Sequence, residues 1–79
     1  MSLVTERIED NVLYLELNGR IDSSNADQAE ELIKAIKEAH PDLQSVLDAE
    51  NLEYLSSAGL RVVLRMRKDA ADLKIINVS

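Results

Sequence analysis

The stretch VLYLEL at residues 12–17 carries the clearest strand signal in the sequence. Three leucines, at positions 13, 15 and 17, fall on one side of an extended chain, as expected of a half-buried strand. A weaker strand over Leu3–Ile8 precedes it, and the polar residues Glu9–Asn11 between the two predict a β-hairpin. Gly19 is expected to end or bend the second strand.

Two helices and two further strands are predicted after this hairpin. Ser24, three residues before Asp27, approximates a capping box and predicts a first helix, which Pro41 ends near His40. A short apolar strand over residues 45–49 follows, and the helix before it favours parallel pairing. A second helix is predicted from Ala58 to about residue 68, closed by residues 69–72, before a last strand over 73–78.

The predicted order is therefore ββαβαβ, an α/β fold in one domain spanning residues 1–79. Right-handed crossovers would place both helices on one face of a mixed four-stranded sheet.

The composition excludes several classes of function. The sequence contains no cysteine, which excludes disulfides, thiolate metal sites and cysteine nucleophiles. Its net charge of -6 repels phosphate backbones and anionic lipids, so we expect neither direct nucleic-acid binding nor membrane insertion. No apolar run approaches the ~20 residues of a membrane span and the start does not resemble a signal peptide, which predicts a cytoplasmic location. Since no Walker loop or dinucleotide-binding glycine pattern is present, no cofactor is expected.

The segment SSAGL at residues 56–60 is the strongest candidate site, because a serine at a helix start can cap the helix or carry a phosphate. Taken without context, Ser56 and Ser57 would be structural caps. Gly59 would either pack the helix or let a partner approach its first turn closely. A stripe of Arg61, Arg65 and Lys68 is either a solvated helix face, the more common case, or a docking site. Asp22 could simply cap the first helix.

Three segments together form a recognisable pattern: NGRID at residues 18–22, VLD at 46–48 and, most specifically, YLSSAGL at 54–60 followed by RVVL. They resemble the STAS domain, the family named for sulfate transporters and anti-sigma factor antagonists. The resemblance covers essentially the whole chain. It implies an anti-sigma factor antagonist: a bacterial regulator of transcription that binds an anti-sigma factor kinase, is inactivated by serine phosphorylation and is restored by a serine phosphatase.

The family's frequent motif has an acid, the phosphorylated serine, a small residue and glycine. Matching its glycine to Gly59 places the phosphorylation site at Ser57, with Ser56 in place of the acid. Asp22 matches the family's acidic residue beside the same surface. The implied partner-binding residues are Asp22, Ser56, Ser57, Ala58, Gly59 and Arg61.

Two other functions compete with this prediction. Ser57 with His40 and either Asp22 or Asp48 provides the residue types of a hydrolase, but the nucleophile-elbow pattern is absent and no enzyme activity is expected. The alternative within the family is an accessory subunit of a membrane transporter that docks on an ATPase without phosphorylation.

The carboxyl end departs from the family pattern. The family fold normally continues past the strand at residues 73–78 into a further strand and helix that cover the sheet, whereas this sequence stops at Ser79. An apolar patch of several hundred Å² is rare on a stable monomer. A homodimer that buries the uncovered face is therefore predicted as a hypothesis.

Overall fold

The computed structural model describes residues 2–70 and 73–78 and contains two helices and six strands in those residues. In chain order the elements are β1 (Val4–Glu9), β2 (Val12–Leu17), β3 (Gly19–Ile21), α1 (Ala26–Ala39), β4 (Gln44–Asp48), β5 (Leu52–Leu55), α2 (Ser57–Asp69) and β6 (Lys74–Ile76). The predicted helix-closing segment extends beyond Asp69, and its positions 71 and 72 lie outside the described residues.

The predicted hairpin is confirmed. Strands β1 and β2 pair antiparallel, and Glu9 faces Val12 across a two-residue turn. Asp10 and Asn11 both have positive φ, 52° and 63°, which is the conformation of the turn that matches the twist of paired strands. Aspartate and asparagine tolerate this conformation better than most residues, so the polar turn fixes the register of the hairpin.

The main sheet has the order β1-β2-β4-β6, with β2, β4 and β6 mutually parallel and β1 antiparallel at one edge. This mixed four-stranded sheet with two helices confirms the predicted fold class. Leu13 and Leu15 of β2, Leu47 of β4 and Ile33 of α1 are the largest fully buried side chains. They belong to one apolar cluster with Val62, Val63 and Met66 of α2, which shows that both helices cover the leucine side of β2.

A second, two-stranded sheet was not predicted. Strands β3 and β5 pair parallel beside the main sheet, with Ile21 facing Leu55. Gly19, expected only to end or bend a strand, has φ +71° and begins β3. This left-handed conformation carries little penalty for glycine, so the chain turns from β2 into β3 within two residues.

The predicted cap of the first helix was wrong. Asn25, not Ser24, occupies the N-cap position of α1, and its side chain makes no capping hydrogen bond. The Asn25 Oδ1 instead accepts a hydrogen bond from the backbone N–H of Asp22, at 2.9 Å. The end of the helix agrees with the prediction, because His40 is the C-cap residue and Pro41 follows it.

The sheet face opposite the helices is covered by a polar network. The Arg7 guanidinium lies 4.2 Å from the centre of the Tyr14 ring and also contacts Glu9, Glu16 and Asp48. Asp48 is only 3% exposed, and its Oδ1 accepts hydrogen bonds from Asn77 Nδ2 at 2.9 Å and from a backbone N–H two residues later. The bond from Asn77 links the end of β4 to the residue that follows β6.

Candidate functional site

Strands β3 and β5 end side by side, and their ends bring two predicted site residues together. The backbone N–H of Ser56 donates to the carbonyl oxygen of Ile21 at 2.9 Å, which continues the parallel pairing by one step. Asp22 directly follows Ile21, so it lies next to Ser56 although 34 positions separate them in the sequence. The small sheet therefore joins the loop before α1 to the start of α2.

The two adjacent serines have different structural roles. Ser56 is the N-cap of α2, with extended backbone angles, and its Oγ accepts a hydrogen bond from the N–H of Gly59 at 3.3 Å. The Ser56 carbonyl accepts a second bond from the N–H of Leu60 at 2.8 Å. Ser57 is the first helical residue and its side chain is exposed. The capping interpretation thus applies to Ser56 and leaves the Ser57 hydroxyl facing solvent.

Gly59 packs against the small sheet and faces the protein interior. It is buried, and a Cβ at this position would lie 2.5 Å from Leu55 Cδ1 and 3.0 Å from Ile21 Cγ2. The same atom would lie 3.3 Å from the Ile21 carbonyl oxygen. The close approach that requires glycine is therefore between the first turn of α2 and the small sheet, which lets the helix start directly against β3 and β5.

Asp22 forms a tight local turn rather than a helix cap. Its Oδ1 accepts hydrogen bonds from both the backbone N–H and the hydroxyl of Ser24. These two bonds, with a smaller contribution from the charge of Arg20, lower the pKa of Asp22 below its ordinary value. Asp22 is consequently ionised at neutral pH and places a negative charge beside the paired serines.

The two arginines in the basic stripe of α2 have different surroundings. Arg65 makes two hydrogen bonds to the Glu30 carboxylate of α1, at 2.9 and 3.0 Å, and so ties the two helices together. Arg61 is exposed, and in residues 2–70 and 73–78 no carboxylate lies within ion-pair distance of it. Ala58, between the serines and Gly59, is half-buried against the core.

Sequence reasoning missed a stacked pair beside the serines. The guanidinium of Arg20 lies 4.5 Å from the centre of the Tyr54 ring, and Tyr54 is 44% exposed. Arg20 faces Tyr54 across the β3–β5 pairing, two residues before Asp22 and Ser56 respectively. Both residues belong to the segments that resemble the STAS family, but only knowledge of the parallel pairing would have placed them together. Exposed arginine and tyrosine are the residue types enriched where protein interfaces bind most strongly.

The residues of the hydrolase hypothesis are not brought together. His40 lies at the far end of α1, a helix of 14 residues and therefore about 21 Å long, and its Nε2 contacts Glu6 of β1. Asp48 is held in the network on the opposite face of the sheet. In the part of the chain that the structure describes, no group of three or more metal-ligating side chains could hold an ion. Neither described helix is long and apolar enough to cross a membrane.

Comparisons with known proteins agree with this architecture. The family model described as "Mlab, STAS domain" matches residues 4–79. A Bordetella bronchiseptica protein named as a candidate anti-sigma factor antagonist, BtrV, is 42% identical over 69 residues. The matched region makes up 86% of this chain but 57% of that protein, so the chain spans a little over half the length of this relative.

Proposed function

Because the chain belongs to the STAS domain family, we propose that it is an anti-sigma factor antagonist that acts as a phosphorylation-controlled partner switch. Unphosphorylated, it binds an anti-sigma factor kinase in the cytoplasm and so frees a sigma factor. Phosphorylation of Ser57 ends this binding, and a serine phosphatase restores it. The chain acts by binding and has no enzyme activity of its own.

One observation carries this proposal: Ser57 is exposed at the first position of α2 while Ser56 makes the capping hydrogen bond. A kinase can therefore reach the Ser57 hydroxyl without breaking a contact that holds the fold. The proposed docking surface surrounds it and consists of Asp22, Ser56, Ser57, Ala58 and Arg61. Gly59 supports this surface, because it lets the first turn of the helix pack against the small sheet.

The modification changes charge at a position where the fold tolerates it. The kinase would transfer the γ-phosphoryl group of ATP to the Ser57 oxygen, releasing ADP and the hydroxyl proton; the phosphatase would return the hydroxyl by hydrolysis to inorganic phosphate. The phosphate adds about two negative charges near the positive end of the helix dipole, where negative charge is favourable by ~0.3 to 1 kcal/mol. An acidic partner surface would be repelled by the same charges.

The test is a matched pair of serine variants with the purified serine-kinase anti-sigma factors of the source organism. Ser57→Ala should abolish phosphorylation, detected by mass spectrometry, while leaving thermal stability unchanged. Ser56→Ala should remain a kinase substrate but lose about 1 kcal/mol of stability, because it removes a helix cap. Phosphorylation confined to Ser56, or a stability loss found only in Ser57→Ala, would contradict the assignment.

Binding measurements complete the test. By calorimetry, unphosphorylated wild type and Ser57→Ala should bind the kinase, and the phosphorylated protein should bind at least about tenfold more weakly. Ser57→Asp should show part of this loss. If the chain instead binds a transporter ATPase, with equal affinity for wild type and Ser57→Asp, the accessory-subunit alternative is correct and the switch is not.

A further inference from the structure

We propose that Arg61 binds the phosphoryl group carried by Ser57, across the first turn of α2, and is thereby withdrawn from the partner-facing surface. This inference rests on the proposed function only for the source of the phosphate. It assigns Arg61 a regulatory role that differs from that of Arg65 on the same helix.

The spacing of the two residues supports the pairing. Arg61 follows Ser57 by four positions in a continuous helix. Side chains four apart lie one above the other, with their Cβ atoms about 6 Å apart. The order is also the favourable one, with the negative group nearer the amino end and the positive group nearer the carboxyl end.

The surroundings direct the phosphate toward Arg61. Arg65 is already held by Glu30 through two hydrogen bonds, whereas the described residues place no carboxylate within ion-pair distance of Arg61. Asp22, ionised beside Ser56, would repel a phosphate from the strand side of the helix start. The guanidinium of Arg61 has five N–H donors and can bind two phosphate oxygens at once.

The consequence is a second route by which phosphorylation weakens partner binding. Before phosphorylation, Arg61 presents a positive charge one turn from the Ser57 hydroxyl, and no carboxylate within residues 2–70 and 73–78 pairs with it. Afterwards the same guanidinium is engaged by the phosphate, so an acidic partner surface meets added negative charge and loses a positive one.

The test uses protein with phosphoserine incorporated at position 57 during translation, so that it needs no kinase. The pKa of the phosphate, ordinarily near 6, is followed by ³¹P NMR titration. Arg61→Gln should raise this pKa by about 0.3 pH unit relative to wild type, the size expected of an exposed ion pair four residues apart in a helix. Arg61→Lys should recover part of the difference.

The matched control is Arg67→Gln, which removes the same charge from an exposed arginine of α2 ten residues from Ser57. It should shift the phosphate pKa far less than Arg61→Gln. Arg20 and Asp22 are unchanged in every variant, so their effects on the phosphate pKa cancel when the variants are compared. Equal phosphate pKa values in wild type and Arg61→Gln would overturn the pairing, as would equal shifts in both glutamine variants.

The two proposals fail in different experiments. If no anti-sigma factor kinase binds or phosphorylates the wild-type chain, the proposed function is wrong, and the NMR result still decides whether Arg61 holds a phosphate at position 57. If the kinase does bind, phosphorylation should weaken binding by a smaller factor in Arg61→Gln than in Arg67→Gln.

Discussion

Replacing Gly59 by alanine tests whether the first turn of α2 is held against the small sheet as closely as the structure indicates. Helix propensity alone predicts that the change stabilises the protein by about 1 kcal/mol, since alanine is the better helix former. The packing predicts the opposite. The new methyl group would lie 2.5 Å from Leu55 Cδ1 and 3.0 Å from Ile21 Cγ2.

The two contacts differ in how readily they relax. Leu55 is half-buried and borders an apolar cavity of about 170 Å³, so its side chain can move aside. Ile21 is buried and β-branched, and its carbonyl oxygen, 3.3 Å from the new methyl, already accepts the hydrogen bond from Ser56. Overpacking of this kind costs about 1–3 kcal/mol. Subtracting the propensity gain leaves a net loss of about 1 kcal/mol.

Urea and thermal unfolding should measure this loss, which corresponds to about 4–8 °C in Tm for a domain of this size. A double-mutant cycle locates its cause: Leu55→Ala removes the closest contact, so Gly59→Ala should cost less in that background than in wild type. Gly19→Ala is the control, because it changes the backbone preference without adding a steric contact. Gly19 has φ +71°, and a methyl group added there would meet no atom within 4 Å. A Gly59→Ala variant that is more stable than wild type, or a double-mutant cycle that shows no coupling energy between positions 55 and 59, would refute the packing argument.

Two further changes probe the charged contacts. Burial opposes ionisation of Asp48, but hydrogen bonds from Asn77, a backbone N–H and Arg7 outweigh it and lower its pKa. Its ionised form therefore stabilises the fold above the ordinary aspartate pKa, and this contribution is lost as pH falls through the lowered value. Asp48→Asn should destabilise the protein by about 1–3 kcal/mol at pH 7, and the difference from wild type, followed by urea unfolding, should shrink in strong acid. Glu30→Gln should cost less than about 1 kcal/mol and lose its effect in high salt, since Arg65 is half exposed; a larger, salt-independent cost would contradict this.

The sequence predicted those elements whose side chains repeat with a regular period. The strand at residues 12–17 was predicted with its observed bounds, because three buried leucines alternate there with more exposed residues. The small sheet was missed because β3 has three residues and β5 four, too few for a period to show. The network on the opposite face of the main sheet was missed for another reason: Arg7 and Asp48 are 41 positions apart and meet only after the strands pair.

The site was predicted in part. The motif at residues 56–60 and Asp22 were identified from the sequence, and the structure places Asp22 next to Ser56. For Gly59 the sequence left helix packing and close approach of a partner as alternatives, because the direction of an absent side chain depends on which element lies beneath the helix; the structure shows packing against Ile21 and Leu55. The dimer remains a prediction. The exposed apolar side chains that could form its interface lie on α2 and around β6: Leu60, Leu64, Ile75 and Val78.

The geometry of a helix start explains why Ser57 rather than Ser56 suits a reversible modification. Successive helical residues point about 100° apart, so the residues at the start of α2 face different surroundings. Ser56 turns its hydroxyl toward the N–H of Gly59, and Gly59 turns toward Ile21 and Leu55, so both are committed to holding the helix in place. A phosphate on Ser56 would have to displace that capping bond. Ser57 has neither task, and a charge added there changes the surface that a partner meets while the contacts between α2 and the small sheet stay intact.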